Sequence, residues 1–173
     1  MSAQFVIDAR AADDWVPVAN AVPDVSLAKP GEMMRADEPM HISVSLRIRD
    51  KAGLDAIANS LGVGGNTDAT LTSQQFLDRF APTQNQVDAV VTYLNGSGFK
   101  NITVAANHLL VDADVSASVA GIAFHVSMRR FVVDGRNAYA NLNAPLVPAQ
   151  LGSIILSIGG LQTVNIPHPL ERQ

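Results

Sequence analysis

Apolar and polar residues alternate without error across residues 41–49, with Ile42, Val44, Leu46 and Ile48 on one side and His41, Ser43, Ser45, Arg47 and Arg49 on the other. A period of two belongs to a half-buried β-strand, so this stretch predicts a strand with one face in the core. The period then lengthens. Leu54, Ile57, Ala58 and Leu61 recur at spacings of three and four after Asp50, which predicts a helix stopped by Gly62. Thr72 with Gln75, and Thr83 with Gln86, have the spacing of a capping box, in which hydroxyl and side-chain amide satisfy the free backbone N–H groups of a helix start. They predict a short helix ending near Phe80 and a second helix of about three turns. The stripe of the second, Val87, Val90, Val91 and Leu94, is terminated by Gly96 and Gly98.

Residues 99–105 and 109–113 read as two strands joined at Ala106, Asn107 and His108. Ser116 is placed to cap a short helix carrying Val119, Ala120, Ala123 and Phe124. Residues 126–133 are β-branched and aromatic, Asp134-Gly135 is a hairpin signal, and residues 138–141 form the returning strand. A last helix is expected from Pro148, with Leu151, Ile154, Ile155 and Ile158 on one face and a stop at Gly159-Gly160. Split β-α-β pairs in this order predict an α+β fold: a ferredoxin-like antiparallel sheet with helices on one face. The expected organisation is a Pro-rich, largely irregular N-terminal arm (1–39), a folded domain (40–161) and an extended tail (162–173) that Pro167 and Pro169 keep from being helical.

With 173 residues and 47% hydrophobic content, the chain is long and apolar enough for one domain with a real core. Twelve Lys and Arg against sixteen Asp and Glu give a formal charge of -4, and the longest basic run is Arg129-Arg130, so there is no electrostatic footprint for nucleic acid. No apolar run approaches the roughly 18 residues of a membrane span. The absence of cysteine excludes a disulfide framework and a thiol nucleophile. Asp8 and Arg10 occupy the region where a secretion signal would be apolar.

Catalytic and cofactor chemistry finds little support. His41, His108, His125 and His168 are scattered without metal-ligand spacing, residues 62–65 are Gly-rich but lack the Lys-Ser or Lys-Thr of a phosphate loop, and Gly96-Ser97-Gly98 is not a nucleophile elbow. No metal or cofactor is expected. Asp112 and Asp114 lie two apart and could share a strand face, although a strand end leading into Ser116 is the plainer reading. The three glutamates, Glu32, Glu38 and Glu171, all fall outside the predicted core.

Five segments in order carry a resemblance. They are residues 39–50 from Pro39 through the alternating strand; Leu71-Thr72 through Phe76, with Phe80-Ala81-Pro82-Thr83; Tyr93-Leu94 through Gly98-Phe99; Asn107-His108-Leu109-Leu110-Val111; and Val147-Pro148-Ala149 through Gly160-Leu161-Gln162-Thr163. Together they resemble the pro-kumamolisin activation domain, the N-terminal propeptide of sedolisin-type serine-carboxyl peptidases, in its bacterial pseudomonalisin-like branch. Residues 112–115 depart from the Gly-containing turn of many relatives, with Asp114 in its place. The resemblance implies a propeptide that assists folding of a catalytic domain, covers its cleft, and is cut away in acid. It implies a secreted or extracytoplasmic location and a catalytic domain of this peptidase type as partner. The family's Ser-Glu-Asp triad and its Gly-Thr-Ser context do not occur here, so no peptidase activity is expected of these residues.

Within that picture, Ser43, Ser45, Arg47 and Arg49 form the candidate docking face, because one sheet face stays free once helices cover the other. Gln162, Thr163, Asn165, Pro167 and His168 form the candidate linker directed at the cleft, since an extended segment can lie in a peptidase groove. Full protonation would leave twelve Lys and Arg plus four His uncompensated, taking the formal side-chain charge from -4 to +16. Loss of interdomain ion pairs is the expected basis of acid release. A free-standing ferredoxin-like domain that binds or senses a small ligand is the alternative, supported by topology alone.

Overall fold

The alternating stretch becomes a central strand. Two strands precede it, β1 (Trp15–Pro17) and β2 (Lys29–Met33), which makes it β3, Pro39–Leu46. The computed structural model describes residues 14–20, 22–64 and 71–164. Met40, Ile42, Val44 and Leu46 point inward and are all buried. β3 ends before its alternation does: the Arg47 N–H donates to Ile154 O and the Arg49 N–H to Phe80 O, both at 2.8 Å, so the chain peels away from the sheet. Ile48 stays half-buried in this turn, which preserves the polarity pattern without the strand.

Asp50 opens α1 (Lys51–Gly64) by accepting the Gly53 N–H at Oδ1 (2.8 Å). That helix runs through Gly62, because one glycine costs a helix only about 1 kcal/mol. Both capping boxes form as expected, Thr72 with Gln75 opening α2 (Ser73–Arg79) and Thr83 with Gln86 opening α3 (Gln84–Ser97). Gly96 lies within α3, and Gly98, at φ 97°, is the residue that ends it. Val87, Val90 and Leu94 of α3 are buried.

Then follow β4 (Lys100–Val104), β5 (Leu110–Ser116), α4 (Ala117–Ala123), β6 (Met128–Val133) and β7 (Arg136–Asn141). Asp134 and Gly135, at φ 50° and 76°, make the two-residue turn between β6 and β7, where two left-handed residues match the twist of the strands. The chain closes with β8 (Leu146–Pro148), α5 (Ala149–Gly152) and β9 (Ile155–Gly159). Among the described residues three sheets result, with orders β4-β5-β3-β9, β2-β6-β7 and β1-β8, all antiparallel. The fold is α+β with helices packed on one face of the four-stranded sheet. The two smaller sheets are additions to the single antiparallel sheet that the sequence predicts.

The main core lies between that face and the helices, where Val111, Ala113 and Val115 of β5 meet Val90 and Leu94 of α3 and Ala120 of α4. Phe99 and Phe124 meet edge-on at its centre, 5.6 Å between ring centroids. A second cluster holds Phe131, Ala138, Ala140 and Val164.

The last helix departs from expectation. Only Ala149–Gly152 is helical, and Ile155–Gly159 is a strand paired with β3. A bulge opposite Ser45 and Leu46 inserts Leu156, so Ile155 and Ile158 face the core although three residues apart. That spacing imitates one side of a helix.

Residues 14–39 contribute more than an irregular arm. Besides β1 and β2, Val18 is buried, Trp15 stacks on His125 with centroids 3.8 Å apart, and Glu38 Oε1 lies 2.7 Å from Arg130 Nη2. The Ala19 N–H donates to Leu156 O (2.9 Å). Asn20 donates from Nδ2 to Ile158 O (2.8 Å) and accepts the Ile158 N–H at Oδ1 (2.7 Å), which closes the outer edge of β9. No helix among the described residues is long and apolar enough to cross a membrane.

Candidate docking surface

The face of the four-stranded sheet opposite the helices is open, and the pleat decides what it carries. His41, Ser43 and Ser45 alternate outward along β3, and Asp112 and Asp114 alternate outward along β5 between buried Val111, Ala113 and Val115. Antiparallel register sets His41 opposite Asp114 and Ser43 opposite Asp112. The two aspartates are thus a carboxylate pair on one strand face, and the expected turn at residues 112–115 is continuous strand.

At this end of the face the polar side chains are hydrogen-bonded in two groups. His41 Nδ1 donates to Asp114 Oδ1 and Asn101 Nδ2 to Asp114 Oδ2, each at 2.8 Å. Ser43 Oγ donates to Asp112 Oδ1 at 2.5 Å, and His41 Nε2 stands 3.8 Å from the same oxygen. The hydrogen bonds from His41, then Asn101, hold the Asp114 carboxyl below its usual range, because both favour the ionised form. Lys100 is the register partner of Asp114 on β4.

The other end is apolar. Ser45, Leu46, Ile48, Leu109, Leu110 and Leu156 line a groove of about 650 Å³ where β3, the β4–β5 turn and β9 meet. Arg47 and Lys51 are the charged residues in its lining. Arg47 reaches back with Nε to Ile155 O (3.1 Å), and Lys51 Nζ pairs with Asp55 Oδ2 (2.5 Å). Asn107 also lines a second groove, of about 440 Å³, with Leu71, Phe76 and Leu77.

The four residues expected on one docking face are therefore divided. Ser43 and Ser45 lie on the open sheet, Arg47 lies at its end, and Arg49 has left it. Arg49 donates from Nε to Ala81 O and from Nη2 to Leu77 O (3.3 Å) and Asp78 O (2.6 Å), so it caps the C-terminal carbonyls of α2. Sequence reasoning misses Leu110 and Leu156. Leu110 is legible as outward from the alternation of its neighbours, whereas the helical spacing of Ile155 and Ile158 conceals Leu156.

The candidate linker begins under restraint. The Thr163 N–H donates to Tyr139 O (2.8 Å), the Tyr139 N–H to Thr163 Oγ1 (3.0 Å) and Tyr139 Oη to Gly160 O (2.9 Å). Leu161 and Val164 are buried on either side of Gln162 and Thr163, which fastens this stretch to β7. Asn165, Pro167 and His168 lie outside the described residues.

Comparison with known proteins places this surface in a family. The family model described as "Pro-kumamolisin, activation domain" matches residues 28–164. Xanthomonalisin of Xanthomonas sp. (strain T-22) is 42% identical over 140 residues, covering 80% of this chain and 17% of that protein. Sedolisin of Pseudomonas sp. (strain 101) is 40% identical over 164 residues, covering 90% of this chain and 28% of that protein. The chain spans less than a third of the length of these curated relatives. The match takes in β2 to β9, both faces of the four-stranded sheet and the fastened segment at Thr163, and on that ground the chain belongs to the pro-kumamolisin activation domain family.

Proposed function

We propose that this chain is the propeptide of a sedolisin-type serine-carboxyl peptidase, acting as intramolecular chaperone and autoinhibitor and leaving its partner in acid. The observation that carries the reading is the match to the activation-domain family across residues 28–164. Relatives named sedolisin and xanthomonalisin support the peptidase class. The peptidase chemistry is assigned to a catalytic domain and none of it to these residues. An acid-activated peptidase fits a secreted or extracytoplasmic setting.

In this reading the open sheet face meets the catalytic domain through Ser43, Ser45 and the end marked by Arg47, with Arg49 confined to holding α2 in place. Asn165, Pro167 and His168 follow the fastened Val164 and lead toward the cleft. Acid release comes from neutralising carboxylates on both sides of the contact while the domain's own formal charge climbs from -4 toward +16. The test is to titrate the chain into its cognate catalytic domain and follow peptide hydrolysis from about pH 6 to 3.5, a range that spans the ordinary carboxylate pKa values. Inhibition that fades toward the acid end is expected. A folded chain that inhibits at no pH overturns the reading.

A further inference from the structure

We infer that the apolar groove at the Arg47 end of the open sheet seats a segment of the peptidase domain that presents an aliphatic or aromatic side chain beside a carboxylate. The inference rests on the propeptide reading and adds which part of the face dominates binding and what it recognises.

The two ends of the face differ in what they leave unsatisfied. At one end, His41 and Asn101 are bonded to Asp114, and Ser43 to Asp112. A partner arriving there would have to replace contacts that already exist, so the exchange gains little. At the other, Leu156 is 39% exposed and Leu110 half-buried around about 650 Å³ of open groove, and covering them removes apolar surface from water. An aliphatic or aromatic anchor in a pocket of this kind is the usual centre of a binding hot spot.

Charge specifies what stands beside the anchor. Arg47 and Lys51 are both cationic, and no carboxylate among the described residues lines the groove, in a chain whose net charge is -4. The bond from Arg47 to Ile155 O uses Nε and leaves the two terminal nitrogens of the guanidinium for a forked bond to a carboxylate. Lys51 is held by Asp55 in a pair whose side chains are 75% and 54% exposed, a contact weak enough to be exchanged for a partner's acid.

The test measures inhibition of the cognate catalytic domain by the intact chain and by Leu156→Asp, Arg47→Glu, Arg47→Gln and, at the opposite end, Asp112→Asn, with melting temperatures taken in parallel. Leu156→Asp and Arg47→Glu are each expected to raise the inhibition constant about tenfold or more, as loss of a central contact does. Arg47→Gln should flatten the dependence of that constant on salt, and Asp112→Asn should raise it by a smaller factor than Leu156→Asp or Arg47→Glu. If Leu156→Asp proves unfolded, Leu156→Ser takes its place and is expected to weaken inhibition in the same direction. Wild-type inhibition that Leu156 and Arg47 variants leave unchanged overturns the groove assignment and spares the propeptide reading. A wild-type chain that does not inhibit overturns both.

Discussion

Glycine does opposite work at two positions. Gly160 adopts φ +88°, and a Cβ there would strike the carbonyl oxygen of His41 and lie 3.3 Å from Ile42 Cα. Its backbone passes against β3 where the chain leaves β9 for β7, and no L side chain fits both the conformation and the space. Gly96 lies within α3, where an added methyl group would meet nothing within 4 Å, so only helix propensity acts on it. Gly160→Ala is expected to cost about 1–3 kcal/mol, while Gly96→Ala should add about 0.5–1 kcal/mol. Urea unfolding of the two variants checks both, and equal effects would remove the distinction. Arg49 makes a related point about single residues. Its place in the alternation suggests an exposed strand cation, yet a strand that ends at Leu46 sends it to the carbonyls of α2. Alternation reports polarity at each position and is blind to where the chain turns.

At the scale of elements, local signals are readable in proportion to how local their physics is. The two capping boxes need only residues three apart, and both form as spaced. The hairpin at Asp134-Gly135 is equally local. β9 reads as helix in the sequence because its bulge is imposed by β3, more than a hundred positions away, and gives Ile155 and Ile158 a helical spacing. The same limit hides the candidate docking surface: His41 and Asp114 become a pair only through the register of β3 on β5. The strap at residues 18–20 lacks periodicity altogether, since Asn20 works through two side-chain bonds in place of a strand. It gives the element-scale prediction. Asn20→Ala should speed amide hydrogen exchange at Ile158, whose N–H loses its acceptor, and leave Val44 in the centre of the same sheet protected. Unchanged exchange at Ile158 would show that the strap does not close this edge.

For the whole molecule, pH is the variable that reaches every element. Asp114 is ionised to lower pH in the folded chain than its ordinary value of 3.8 permits, through His41 first and Asn101 second. A carboxyl whose folded pKa is depressed stabilises the fold above its unfolded pKa and loses that contribution as pH falls through the folded value. Asp114→Asn should therefore lower the melting temperature at neutral pH, and the gap from wild type should close below about pH 3.8, the ordinary carboxyl value. A gap that persists at the acid end would mean the stabilisation does not come from the charge. The effect is small because the side chain is half exposed. Under the proposed function, the acid response of the fold and that of the interface would lie at opposite ends of one sheet, so the domain would lose its partner while it remains folded.

The closed edge of β9 bears on self-association. Open sheet edges recruit further strands, and a domain short of negative charge in acid is the sort of species that grows into fibrils. Here one outer strand is occupied by residues 18–20, and the other, β4, carries Lys100 and a bulge with Asn101 at φ 50°. Neither offers a flat ladder to a second copy, so the four-stranded sheet is guarded at both edges against growth by strand addition.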